Sequence, residues 1–189
     1  MTLLLIGLVV FLGIHSISIF AEGFRNRMAA KSELGWMAVY SLVSLLGIVL
    51  IARGYAQARL DPVLLYVTPG WLRHVAALLL LPAFVLFFAP YFKGRISTVT
   101  RHPQLIAVKL WAVAHLLVNG MLADVVLFGA FLAWAVVDRI SMKRRTARAV
   151  PGLPKAGIND AIVIVLGLAA YVAFALWLHA AWIGVAPFG

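Results

Sequence analysis

The sequence predicts an all-α fold, a polytopic membrane bundle of about six transmembrane helices. Of its 189 residues, 65% are hydrophobic, and the mean hydropathy is +1.05. Such a chain has too little polar surface to cover a water-soluble globule. A bilayer core about 30 Å thick needs about 20 apolar helical residues to cross it, and runs of this kind recur along the whole chain.

The spans are predicted at residues 2–21, 35–52, 71–89, 104–119, 121–139 and 160–185, in one transmembrane domain covering 1–189. The apolar run from Gln104 to Arg139 exceeds one crossing, so we divide it at Asn119-Gly120, where a tight turn is favoured. Pro82 is expected to kink the third span. The stretch from Tyr55 to Gly70 is expected to break the helical pattern. The first run lacks a basic leading region, so we expect a retained span instead of a cleaved signal peptide.

The positive charges indicate the orientation of the spans. The formal net charge is +10, and Lys and Arg concentrate in the first, third and fifth connectors, which hold three, three and six of them. Basic connectors face the cytoplasm, so both termini are expected outside, in a multi-pass protein of the bacterial inner membrane. Nucleic acid is not an expected partner, because the spans leave little soluble surface to bind it.

The chain contains no cysteine. Disulfides, thiolate nucleophiles, iron–sulfur clusters and covalently attached c-type haem are therefore excluded. Any haem must be held without a covalent bond to the protein.

Ionisable side chains inside a span are expensive and are functional candidates by default. With the predicted orientation, His74 and His179 lie near the outer ends of their spans, and His102 lies at the cytoplasmic start of the fourth. His15 and His115 are the two histidines placed well inside the bilayer.

Each of these two histidines is predicted to belong to a polar helical face, because residues three, four or seven apart share a face. The faces consist of His15, Ser18 and Glu22 in the first span and of Trp111, His115 and Asn119 in the fourth. Both faces should turn toward the bundle interior, since lipid does not solvate them.

Two interpretations of the pair remain open. His15 and His115 either make interhelical hydrogen bonds, or they ligate the iron of a haem b between the first and fourth spans, since imidazole is a standard haem ligand. Another histidine such as His102 could replace one of them. Arg25, Arg101 and Lys109 lie on the cytoplasmic side, where they could neutralise the haem propionates or simply anchor the chain at the interface.

Several motifs resemble those of the NnrU family of bacterial membrane proteins. They are Gly13-Ile14-His15-Ser16, Thr100-Arg101-His102-Pro103-Gln104, Trp111-Ala112-Val113-Ala114-His115-Leu116 with Asn119-Gly120, and Val137-Asp138-Arg139-Ile140-Ser141. The resemblance covers essentially the whole chain. It implies a link to denitrification and to nitrite and nitric oxide metabolism.

The resemblance extends to a plant and cyanobacterial relative of the family, 15-cis-zeta-carotene isomerase, a membrane enzyme that uses haem b. Its haem-ligating histidines correspond to His15 and His115. Ala112 stands where the isomerase has a cysteine proposed as an alternate iron ligand, which makes polyene isomerisation a weaker expectation. Arg101-His102-Pro103 also resembles an element of isoprenylcysteine-type methyltransferases, but Leu105 and Ala107 depart from that pattern.

Three functions are therefore considered. The first is a haem b protein of redox or nitrogen-oxide metabolism with His15 and His115 as axial ligands, partnered by the lipid bilayer and by a membrane oxidoreductase or another electron donor. The second is a haem-dependent cis–trans isomerase of a zeta-carotene-like polyene. The third is a cofactor-free assembly or scaffold protein for a membrane oxidoreductase. The sequence does not identify a substrate or catalytic residues.

Overall fold

The structure, a computed structural model, describes residues 1–146, 148 and 150–188. This part of the chain contains nine α-helices and one π-helical turn. The helices are α1 (Thr2–Phe20), α2 (Glu22–Lys31), α3 (Glu33–Ala58), α4 (Leu72–Phe88), α5 (Arg95–Thr100), α6 (Pro103–Val118), α7 (Leu122–Ser141), α8 (Asn159–Ala173) and α9 (His179–Ile183), with the π-turn at Phe174–Leu178.

The all-α class is confirmed, and so is the membrane-compatible character of the helices. Three helical segments are long and apolar enough to cross a bilayer: Thr2–Phe20, Glu33–Ala58 and Asn159–Ile183. Leu72–Phe88 and Pro103–Val118 are shorter apolar helices. Each predicted span overlaps one long helical segment, whereas the count of six crossings and the outer position of the termini stay predictions.

Two helix boundaries differ from the sequence prediction. The chain leaves the helical conformation at Ala21 (φ −137°, ψ 46°), so that Glu22 begins the separate helix α2. The predicted face of His15 therefore stops at Ser18. Helix α3 continues to Ala58 instead of ending before Tyr55, because polar residues such as Gln57 are good helix formers and need no apolar surroundings to remain helical.

The chain divides into two compact units. The first comprises Met1–Val67 and Gly120–Ala147, and the second comprises Thr68–Asn119 and Arg148–Gly189. Each unit combines helices from separate stretches of sequence, and a single transmembrane domain stays a prediction.

In the first unit, α1 packs closely against α3 because glycines remove the side chains that would separate them. A Cβ atom on Gly54 of α3 would lie 2.2 Å from the backbone nitrogen of Leu4, and one on Gly47 would lie 2.8 Å from the backbone nitrogen of Phe11. Small residues commonly allow such close approach between membrane helices. Helix α7 also packs against α1, which places side chains of α7 beside those of α1.

A tight turn predicted at Asn119-Gly120 is present as the non-helical break between α6 and α7. The carbonyl oxygen of Gly120 accepts hydrogen bonds from the backbone N–H groups of Leu65 and Tyr66, at 2.8 and 3.2 Å. A Cβ on Gly120 would lie 1.9 Å from the carbonyl oxygen of Tyr66. Glycine is thus required where the connector after α3 pairs with the start of α7.

The second unit contains α4, α6 and α8, and both α6 and α8 pack against α4. Pro82 lies inside α4 as expected. The carboxylate of Asp160, at the start of α8, accepts hydrogen bonds from the backbone N–H groups of Arg95 and Ile96, at 2.8 and 2.9 Å. Since the first N–H groups of a helix have no partner within it, Asp160 caps α5 across the unit.

Candidate functional site

His15 lies on α1 in an aromatic surrounding within the first unit. Its ring stacks on Phe11, with centroids 4.1 Å apart. The ring of Tyr40 from α3 is 5.0 Å away, and Trp134 from α7 meets His15 edge to face at 5.9 Å. The imidazole is therefore contacted by side chains from three helices, as expected for a residue that faces the interior of its unit.

A backbone hydrogen bond determines the tautomer of His15. Its Nδ1 lies 2.7 Å from the carbonyl oxygen of Phe11, one helical turn earlier. A carbonyl oxygen can only accept, so Nδ1 must carry the proton, and in the neutral ring Nε2 then holds the lone pair. Metal-ligating histidines are commonly oriented by this bond to a backbone carbonyl.

His115 on α6 has the same local arrangement in the second unit. Its Nδ1 lies 2.8 Å from the carbonyl oxygen of Trp111, and the two rings are 5.3 Å apart. The side-chain amide of Asn119 donates to the carbonyl oxygen of His115 at 3.0 Å. Trp111 and His115 share a face of α6 as predicted, whereas Asn119 follows the end of the helix in an extended conformation. Nδ1 of His115 is the protonated nitrogen for the same reason as in His15.

His179 lies beside His115, which sequence reasoning missed. The two ring centroids are 6.5 Å apart and the ring planes differ by 21°. His179 follows the π-turn Phe174–Leu178. Its Nδ1 lies 2.7 Å from the carbonyl oxygen of Val185. The left-handed Gly184 (φ 78°) turns the chain so that this carbonyl group faces His179. The sequence carried no signal for a π-turn, so its depth estimate could not place this ring near His115.

An acidic residue that the sequence analysis did not treat as a candidate lies one turn beyond Trp134. Asp138 is 7% exposed and pairs with the guanidinium of Arg145, and the hydroxyl of Ser141 also donates to its carboxylate, at 3.4 Å. The signal in the sequence that could have identified Asp138 is an acidic residue near the end of an apolar span.

Helix α7 carries a second buried carboxylate, whose contacts stabilise the fold. Asp124 is 4% exposed and accepts hydrogen bonds from the hydroxyl of Tyr55 at 2.5 Å and from the backbone N–H of Met121 at 3.1 Å. It lies in the first turn of α7, where the helix dipole favours a negative charge. These contacts account for its burial.

The indole of Trp134 has an unusual polar group. Its Nε1 is buried and has no hydrogen-bond partner among the residues that the structure describes. A buried donor that stays unsatisfied costs about 1–3 kcal/mol. This atom belongs to the same aromatic group that surrounds His15.

The predicted cationic residues occupy both units. Arg25 is half-buried on α2 in the first unit, and its guanidinium donates to the side-chain oxygen of Asn26 at 3.3 Å. Arg101 and Lys109 belong to the second unit, Arg101 exposed before α6 and Lys109 half-buried within it. Arg101 has a left-handed φ of 59°, a strained conformation for a residue with a side chain.

The described ranges 1–146, 148 and 150–188 contain no group of three or more His, Cys, Asp or Glu side chains that could hold a metal ion. A site built from such a cluster, as in most zinc enzymes, therefore does not occur in this part of the chain. Haem iron differs, because the porphyrin supplies four ligands and the protein adds one or two axial groups.

Comparisons with known proteins give one match. A family model described as NnrU protein matches residues 3–187. No curated protein and no solved structure matches the chain significantly.

Proposed function

Because the chain belongs to the NnrU family, we propose that it is a haem b protein of the bacterial inner membrane, with His15 and His115 as axial ligands and a role in redox or nitrogen-oxide metabolism. One observation carries this proposal. In both histidines Nδ1 is committed to the carbonyl oxygen four residues earlier, at 2.7 and 2.8 Å. Nε2 is therefore the nitrogen suited to iron in both rings.

The chemistry of the surrounding residues fits this group. Phe11, Tyr40 and Trp134 form aromatic walls around His15, and Trp111 does the same for His115. Such walls suit a large planar cofactor. The unsatisfied Nε1–H of Trp134 provides a hydrogen-bond donor for a cofactor that carries oxygen atoms.

The role of the protein residues follows from this arrangement. When bound, haem would supply a one-electron couple at its iron or a binding position for a diatomic gas. His15 and His115 would hold the iron, while the carbonyl groups of Phe11 and Trp111 fix the ring orientations. Arg25, Arg101 and Lys109 are proposed to balance the propionate charges at the cytoplasmic side. A membrane oxidoreductase or another electron donor completes this scheme as the partner.

The alternatives receive less support. Ala112 is fully buried three residues before His115, so that position offers no sulfur ligand for the iron exchange proposed for the isomerase. A scaffold protein without cofactor would leave both ligand-like histidines without a common purpose.

The first test is an absorption spectrum of the detergent-purified protein, oxidised and dithionite-reduced, with a pyridine haemochrome assay. We expect a sharp α-band on reduction and close to one haem per chain. His15→Ala and His115→Ala should each abolish the bis-histidine spectrum. His74→Ala is the matched control, because His74 is exposed near the start of α4, and it should leave the spectrum unchanged.

Two outcomes contradict the proposal. Wild-type protein that stays colourless after haem addition removes the haem and favours the scaffold function. A low-spin spectrum retained in both single variants removes the ligand assignment. Loss of the spectrum in His179→Ala together with retention in His15→Ala would instead assign the second ligand to His179, the ring next to His115.

A further inference from the structure

The buried N–H of Trp134 requires an acceptor that the described protein residues do not provide. A buried donor without a partner forfeits its hydration and gains nothing in return. A bound molecule that placed an oxygen atom next to Nε1 would accept a hydrogen bond from this N–H. The ring of Trp134 also meets that of His15 edge to face, with centroids 5.9 Å apart, so a ligand held by His15 would lie close to this indole.

The position of Trp134 along its helix indicates which part of a ligand would meet it. His15 lies five residues before the end of α1, and Trp134 lies seven residues before the end of α7. At about 1.5 Å per residue, these positions are about 8 and 11 Å from the helix ends. The end of α7 is basic, because Arg139 lies in its last turn and Lys143 and Arg144 follow the helix.

Such an environment favours a carboxylate. Positive charges at one end of a helix attract anions, and an indole N–H to a carboxylate is a charge-assisted hydrogen bond, stronger than one between neutral groups. Asp138 lies nearby, but its charge is compensated by Arg145 and therefore does not repel a second carboxylate as a bare charge would.

We infer that Trp134 is a positioning residue that donates a hydrogen bond from Nε1 to a propionate carboxylate of the haem held by His15. This inference rests on the proposed function and adds to it a residue outside the iron ligands. The indole orients the cofactor through its carboxylate, while His15 holds the iron.

The test compares haem retention in three forms of the full-length protein in detergent: wild type, Trp134→Phe and Trp177→Phe. Phenylalanine keeps an aromatic ring and removes the N–H. Trp177 is the matched control, because it is 70% exposed on the π-turn. Transfer of haem to an excess of an apo-haem acceptor protein gives the dissociation rate, and we expect Trp134→Phe to lose haem roughly tenfold to a hundredfold faster than Trp177→Phe.

A second measurement changes the cofactor and separates the effect of the lost hydrogen bond from that of the smaller ring. Apoprotein is reconstituted with haem dimethyl ester, in which both carboxylates are neutral. The wild type should lose this ester faster than haem, and the difference between Trp134→Phe and Trp177→Phe should shrink with the ester, because the charge that the indole recognises is absent.

The outcomes distinguish this inference from the proposed function. Equal haem retention in Trp134→Phe and Trp177→Phe overturns the inference and leaves the haem proposal standing. A Trp134→Phe defect of the same size with haem and with its ester also overturns it, since the defect then comes from packing. Wild-type protein that takes up no haem overturns the inference together with the proposed function.

Discussion

The closest helix contact in the first unit should not tolerate a single methyl group. Gly54 of α3 faces the backbone of α1, and a Cβ placed there would lie 2.2 Å from the nitrogen of Leu4. Ordinary van der Waals contact begins near 3.4 Å, so Gly54→Ala must move the two helices apart by about 1.2 Å. The atoms in the way belong to backbone, which cannot rotate aside as a flexible side chain would.

Two opposing effects determine the expected stability of this variant. Overpacking a close contact costs about 1–3 kcal/mol, whereas replacing glycine by alanine within a helix gains about 0.5–1 kcal/mol. We expect the free energy of unfolding to fall by about 1–2 kcal/mol. Since α1 carries His15 and α3 carries Tyr40, the separation should also loosen the aromatic surrounding of His15.

The matched control is Gly13→Ala on α1, where a Cβ meets nothing within 4 Å. Only the helix preference of alanine acts there, so this variant should be as stable as the wild type or slightly more stable. The assay is unfolding of detergent-solubilised protein by increasing SDS mole fraction, followed by circular dichroism and tryptophan fluorescence. Gly54→Ala protein that unfolds at or above the midpoint of Gly13→Ala would refute the close contact between α1 and α3.

Three further substitutions test the polar contacts, using the same unfolding assay. Tyr55→Phe should destabilise the protein by about 1–3 kcal/mol, because it removes the hydroxyl that donates to the buried Asp124; an unchanged midpoint would show that this bond does not form. Arg145→Ala should cost about 3 kcal/mol, since it leaves the buried charge of Asp138 uncompensated, and adding Asp138→Asn should recover part of this loss. Asn159→Ala removes two hydrogen bonds from its side-chain amide, each 2.9 Å long, to backbone carbonyl groups, and a loss below about 0.5 kcal/mol would contradict their contribution.

Apolar composition was sufficient to predict the long helices, because each must be both apolar and about 20 residues long to cross a bilayer. It was not sufficient to place their ends. Ala21 breaks the helix without proline or glycine, and the polar end of α3 stays helical past Tyr55. Helix ends of this kind depend on tertiary packing and on backbone hydrogen bonds, which hydropathy does not report.

The two candidate ligands were selected because His15 and His115 are ionisable residues within apolar runs. The structure places His115 in the last turn of α6 instead of near the middle of a span. The residues that surround these histidines could not be predicted in this way. Tyr40 and Trp134 meet His15 from helices that are distant in sequence, and no local spacing encodes such contacts. Asp138 was visible as a charge in an apolar span, but its significance depended on Arg145, which the sequence placed in a basic connector.

The division of the chain into interleaved units has a consequence for its biogenesis. The first unit needs α7 as well as α1 to α3, and the residues of α4 to α6 are synthesised between them. During translation, α1 and α3 are therefore present without α7 while α4 to α6 are synthesised. His15 acquires its neighbour Trp134 only afterwards. A nascent chain arrested before residue 120 would lack Trp134 beside His15, so under the proposed function haem would be bound only after insertion of α7.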